Sequence, residues 1–165
     1  MKLMGYFQME KGEVMETTLR KMTIEDVESL FAIEKECFTD PWSENMVRDL
    51  VGSSWDEVWV LEAESILGYI NYRFIAGEGE LMRIAVIPEH RGHGYSKTLM
   101  DVMMESAAKN QIPDLTLEVR AGNEPAIGLY KTYGFVSEAV RKNYYHNPTE
   151  DALIMWVHGL PTIPT

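Results

Sequence analysis

Covalent cross-links are almost absent from the means this chain has to hold itself together: among 165 residues there is one cysteine, Cys37. A disulfide within the chain is excluded, and such thinly used thiol fits a reducing compartment. Cys37 sits in "AIEKECF" at helical spacing, so it reads as a buried or half-buried thiol, with a reactive one as the alternative. Long apolar runs are missing as well. Nothing approaches the roughly 20 residues that a membrane-spanning helix needs. The opening "MKLMGYFQMEKGE" carries charge where an export signal needs an apolar centre, so a cytoplasmic protein is expected. Positive charge is scarce too: 15 Lys and Arg stand against 26 Asp and Glu, a net charge of −11. Direct nucleic-acid binding, which needs a basic surface, is therefore not expected. Cationic partners such as amines or basic peptides suit the balance better, although acidic charge also simply maintains solubility. Repeats and low-complexity linkers are absent.

What remains is enough for one domain with a core that needs no staples. Residues 1–15 show no clear period and read as an N-terminal extension, a candidate for disorder. Residues 16–160 make the domain, and 161–165 a tail. "TTLRKM" predicts a short strand. Thr23, with Asp26 three residues on, opens a helix over residues 24–38 whose inward stripe is Val27, Leu30, Phe31 and Phe38. Ser43 caps a second helix after the break at "TDPW". The period then changes to β-branched and aromatic runs, "EVWVLEA", "ILGYINYRFI" and "ELMRIAVI", as in a strand meander. A helix from Tyr95 to Lys109 follows, with Leu99, Met100, Met103, Met104 and Ala107 on one face. A strand "DLTLEVRA", a helix closed by Gly134 and two last strands complete the order. The expected fold is α/β (α+β), with a mixed, mostly antiparallel sheet of about seven strands and about four helices.

The densest chemistry lies in "RGHGYSK", residues 91–97. A dinucleotide fingerprint fails because Lys97 stands where the third glycine belongs, and a Walker loop lacks its Gly-Lys-Ser/Thr. A nucleophile elbow around Ser96 fails because Thr98 replaces the second glycine. His90 and His93 have no third ligand to complete a metal site, so no metal is called for. Two readings stay open on the residues alone: a phosphate cradle at a helix start, and a glycine turn with a solvated basic rim. The first rests on N–H groups that have no intrahelical acceptor and on glycines that admit an anion closely.

The pattern Arg91-Gly92-His93-Gly94-Tyr95-Ser96 after a strand resembles the acetyl-CoA motif of the GCN5-related N-acetyltransferases, Gln/Arg-x-x-Gly-x-Gly/Ala. Ser96 departs from it but is still small. The resemblance runs from about residue 17 to 157. "CFTDPWS", "LEVRAGNEPAIGLYKTYGF" and "VRKNYY" narrow it to the RimI-type ribosomal-protein alanine N-acetyltransferases. It implies a GNAT fold with acetyl-CoA as co-substrate and no metal. The acceptor would be the N-terminal peptide of a small-subunit ribosomal protein, attacked directly in a ternary complex. It implies acyl-CoA contacts at Ile84, Ala85 and Val86, then from Arg91 through Gly92, His93, Gly94, Tyr95 and Ser96 to Lys97, and at Asn123. It also implies Glu118 as general base, acting through water, and Tyr130 as general acid. Trp42, Tyr144 and Tyr145 are candidate walls for the peptide, by the same token candidates for ordinary packing. A monomer or weak dimer with no membrane partner is expected. The rivals are a broader enzyme acetylating lysines, other N-termini or small amines, and a non-catalytic acyl-CoA-binding or ribosome-associated module.

The residues support that chemistry in part. An α-amino group with a pKa near 8 is roughly 10% neutral at pH 7, a lysine only about 0.04%, a gap of about 3 kcal/mol. A modest base therefore serves an N-terminal acceptor. Leu115, Leu117 and Val119 share one strand face, so Glu118 projects from the other. There it is a base or the salt-bridge partner of Arg120. Tyr130, seven residues after Asn123 and about two helical turns on, is an acid or a core aromatic, and Asn123 a cofactor contact, an N-cap or both.

Overall fold

The computed structural model describes residues 3–8 and 14–164. The chain divides into two compact units, one comprising the chain up to Tyr72 with Arg83–Val102, the other Arg73–Met82 with the chain from Met103 onward. Strands β4 (Ile66–Ile75) and β5 (Glu78–Val86) and helix α3 (Tyr95–Lys109) run through both.

In the first unit the strand order is β1-β2-β3-β4-β5, with β1 at Leu3–Gln8, β2 at Val14–Lys21 and β3 at Asp56–Glu62. Strand β1 pairs antiparallel with β2 from Leu3↔Leu19 to Gln8↔Val14, so the expected extension contains a strand. Among the described residues it brings the sheet to eight strands, where about seven were expected. The apolar run Val58–Leu61 is buried at four successive residues, as a strand covered on both faces requires. The predicted helix over 24–38 divides into a 3-10 turn, Ile24–Asp26, and helix α1, Val27–Cys37. Asp26 causes the division: its carboxylate accepts the Thr23 backbone N–H at 2.8 Å and binds Arg20 at 2.7 Å. Helix α1 buries Val27, Leu30, Ile33 and Glu34, while Phe31 is half-buried. Val27, Leu30 and Ile33 pack with Val47 of helix α2 (Glu44–Asp49), with Val58 and Val60, and with Tyr69 and Ala85. Each apolar side chain so buried contributes about 1.5–3 kcal/mol.

In the second unit the order is β4-β5-β6-β8-β7, with β6 at Asp114–Arg120, β7 at Val136–Tyr145 and β8 at Glu150–Val157. Strands β5 and β6 are parallel over Glu78↔Asp114 to Leu81↔Leu117, whereas β6–β8 and β8–β7 are antiparallel. Strand β6 alternates as expected: Leu115, Leu117 and Val119 are buried, and Thr116 and Glu118 face the other way, half-buried. The inner face of α3 is also as expected, with Leu99, Met100, Met103 and Ala107 fully buried and Met104 half-buried. Helix α4, Glu124–Thr132, ends ahead of Gly134. The tail is held by backbone hydrogen bonds from Leu160 to Pro113 and from Ile163 to Ala108.

Candidate active site

The glycine stretch lies in the first unit, between the end of β5 and the start of α3. Gly92 and Gly94 take φ of 84° and 81°, values that favour glycine over any residue with a Cβ. A Cβ at either position would meet no atom within 4 Å, so it is backbone conformation that demands glycine. The loop stays open as a result. The helix then begins at Tyr95, and its first N–H groups point beyond its end. Thr98 closes the first turn, its N–H donating to the Gly94 carbonyl at 3.2 Å. Ser96 is half-buried in that turn and Lys97 exposed. Tyr95 is different: 1% exposed, it packs its ring into the core, so only its backbone is available to a ligand. His93 is half-buried, its ring 6.0 Å from that of Tyr95. Arg91 turns back on the preceding strand and donates from Nε to the Val86 carbonyl at 2.9 Å. Ala85 and Val86 are buried and Ile84 half-buried.

Trp42 belongs to another cluster of the first unit. Glu34 is fully buried, and Arg83 binds its carboxylate through Nε and a terminal nitrogen, the latter at 2.8 Å. The Tyr69 hydroxyl donates to the same carboxylate, as does the Trp42 backbone N–H at 2.8 Å. The Arg83 guanidinium also stacks on Phe38 at 3.8 Å and Trp42 at 4.6 Å and donates to the Asp40 carbonyl. Burial, with the Glu34 charge beside it, holds the Tyr69 phenol far above its ordinary range. Trp42 is thus fastened by its backbone and its ring face.

Glu118 and Tyr130 lie in the second unit. The salt bridge considered from sequence is not the one formed. Arg120 instead binds Glu150 at 3.3 Å and the carbonyls of His146 and Pro148. Glu118 pairs with Arg141 of β7 at 3.4 Å. The Glu118 carboxylate, with burial second, raises the pKa of the neighbouring Tyr144. Glu80 completes the group. Burial and then the charge of Glu118 raise its pKa, against the pull of Arg73 and Arg141. Tyr130 is buried and meets Phe135 edge-on at 6.2 Å. Burial, with Tyr145 adding a little, lifts its phenol well above the usual range, so it keeps its proton at neutral pH. Tyr144 is exposed, whereas Tyr145 is half-buried beneath the Arg120 guanidinium at 4.6 Å. Asn123 caps α4, its side-chain oxygen accepting from the Ala126 N–H at 3.3 Å.

The match to a family model settles the class: residues 27–135 fit the acetyltransferase (GNAT) family. The chain belongs to that family. It is an N-acetyltransferase by kinship as well. A Bacillus subtilis relative, provisionally named a [ribosomal protein bS18]-alanine N-acetyltransferase, is 36% identical over 84% of this chain and 93% of its own. The Escherichia coli (strain K12) [ribosomal protein bS18]-alanine N-acetyltransferase is 30% identical over 84% of this chain and 95% of its own. A crystal structure of the Escherichia coli enzyme aligns with a TM-score of 0.81 and 26% identity, covering 90% of this chain and 96% of that one. Arabidopsis thaliana NAA60, solved with acetyl-CoA bound, shares the fold at a TM-score of 0.79 and 16% identity, over 86% of this chain and 98% of its own.

Three residues around Glu118 escaped sequence reasoning: Glu80, Arg141 and Tyr144 as its neighbour. Arg141 sits inside the motif "VRKNYY", yet no local period marks its direction. Strand β7 shifts register between Arg141 and Tyr145, and Asn143 within the shift has φ of 53°. Such an irregularity re-aims side chains that a regular strand would alternate.

Proposed function

We propose that this acetyltransferase moves the acetyl group of acetyl-CoA to the N-terminal α-amino group of an alanine-starting ribosomal protein, the acceptor in its relatives' names, in the cytoplasm. Residues 16–160 serve as its catalytic domain, working as a monomer or weak dimer. The observation that carries the reading is Glu118 itself, a partly exposed carboxylate paired with one arginine, whose charge is felt by a neighbouring tyrosine. It answers the need of an α-amino acceptor for a modest base.

In this reading the loop from Arg91 to Lys97 holds the pyrophosphate through the first N–H groups of α3, with Lys97 adding charge. Ile84–Val86 offer backbone groups to the pantetheine arm and the thioester oxygen, and Asn123 offers its amide nitrogen. Glu118 takes a proton from the acceptor, directly or through one water. The nitrogen attacks the thioester carbon, the C–N bond forms as the C–S bond breaks, and Tyr130 protonates the departing thiolate. Tyr144, Tyr145 and Trp42 are assigned to the acceptor peptide. Competition assays test the acceptor: kcat/KM for a peptide with the bS18 N-terminus should exceed that for the same peptide blocked at its α-amine but bearing lysine, and that for a polyamine. Equal values for all three would overturn the assignment.

A further inference from the structure

We propose that Arg83 is a positioning residue for the acceptor peptide: braced on the buried Glu34, it holds the loop from Phe38 to Trp42 in the shape that receives the peptide. This rests on the assignment of Trp42 to the acceptor. All the residues concerned lie in the first unit. The chain leaves α1 at Phe38 with an extended backbone and passes Pro41 before α2 begins, and residues 38–43 belong to no helix or strand. Their shape therefore has to come from side chains. Glu34 and Arg83 supply them. The Glu34 carboxylate accepts the Trp42 N–H at 2.8 Å, a charge-assisted bond that pins the far end of the loop. Arg83, from β5, reaches the same loop at three points: the Phe38 ring at 3.8 Å, the Asp40 carbonyl at 3.1 Å and the Trp42 ring at 4.6 Å.

Charge balance alone does not ask for this arrangement. A buried carboxylate needs a cation and hydrogen bonds, and a lysine ammonium can give it both. A planar guanidinium does more. It pairs sideways with the carboxylate through Nε and a terminal nitrogen while laying its faces against two rings. What arginine adds over lysine here goes to the loop. Glu34 itself is no ligand for the acceptor amine. A carboxylate has about four acceptor sites, and Arg83, the Trp42 N–H and the Tyr69 hydroxyl fill them. Trp42 meanwhile stays half-buried, so part of its indole is open to a peptide while its backbone is fixed. A wall set before the acceptor arrives removes the ordering cost that binding would otherwise carry.

The experiment is steady-state kinetics of the full chain with acetyl-CoA and an alanine-starting peptide, for Arg83→Lys, Trp42→Ala and the two combined. Arg83→Lys leaves Glu34 a cation, so its melting temperature should fall much less than that of Arg83→Met. Its KM for the peptide should nevertheless rise about 10-fold, with kcat and KM for acetyl-CoA near the wild type. Trp42→Ala should raise the peptide KM by itself, and adding Arg83→Lys to it should raise it no further, because both act through one wall. Phe38→Leu keeps the charge pair and removes one ring; it should raise the peptide KM about 3-fold, and it takes the place of Arg83→Lys in the cycle if that variant does not fold. A wild-type peptide KM in Arg83→Lys, or a rise that multiplies with that of Trp42→Ala, would overturn the inference and leave the assignment of Trp42 standing. A wild-type peptide KM in Trp42→Ala would remove that assignment and the inference with it.

Discussion

Glu34 in the first unit and Glu118 in the second each meet one arginine and one tyrosine, but at opposite depths. The Glu34 side chain is 0% exposed and its arginine 19%, at 2.8 Å. The Glu118 side chain is 24% exposed and its arginine 55%, at 3.4 Å. Around Glu34 every neighbour is committed: Tyr69, the Trp42 N–H and Arg83, whose guanidinium is itself held by two rings and a carbonyl. Around Glu118 a second carboxylate, Glu80, rises from the same face of the neighbouring strand and is exposed to solvent. A buried and fully partnered acid fixes structure, while a half-exposed one with a like charge beside it is left able to exchange a proton.

The largest effect should separate the two arginines. Arg83→Met leaves Glu34 buried without its cation and should cost about 3–5 kcal/mol in urea unfolding. Arg141→Met removes a solvent-exposed pair and should cost less than about 1 kcal/mol. Similar losses would break the distinction. Activity should respond the other way. Glu118→Gln is expected to lower kcat about 100-fold with its urea midpoint unmoved, whereas Glu34→Gln should shift the midpoint first. A smaller loss, about 10-fold, is expected for Tyr130→Phe, and it should be uniform over roughly pH 6–9 because the phenol holds its proton throughout. An alkaline limb that vanished with Tyr130 would contradict its raised pKa.

The smallest effects are in the pH dependence of stability, and they carry opposite signs. Arg20, with burial opposing it, lowers the Asp26 pKa. That contribution is present above the unfolded carboxylate pKa and is lost as pH falls through the lowered folded value. Arg20→Ala should therefore be less stable at neutral pH and converge on the wild type in acid. Glu80 is raised, so its contribution is present below the unfolded pKa and lost as pH rises through the folded one. Glu80→Gln should gain slightly at neutral pH and lose that gain in acid. Two parallel curves would remove the contrast.

Much of this was legible in the residues, for reasons that also mark where legibility stopped. The alternation in "DLTLEVRA" put Glu118 on the face opposite Leu115, Leu117 and Val119, and so it stands. The helical period placed Leu99, Met100, Met103 and Ala107 inside α3. Local period carries no cross-strand register, however. Arg141 and Glu80 reach Glu118 from two other strands, one of them through a register shift, and no spacing within either strand records that. Glu34 escaped for a related reason: a glutamate on a helix reads as a solvent-facing charge, and the Arg83 that permits its burial lies 49 residues on. Ile33 and Glu34 therefore turned inward, where the stripe had Phe31.

Acetyl transfer to an N-terminal alanine is the claim on which the rest depends. Mass spectrometry of protein N-termini in cells with and without this chain tests it directly. The account predicts that N-terminal acetylation of ribosomal protein bS18 is lost when the chain is absent and returns with the wild type but not with Glu118→Gln. Unchanged bS18 acetylation in its absence would contradict the account.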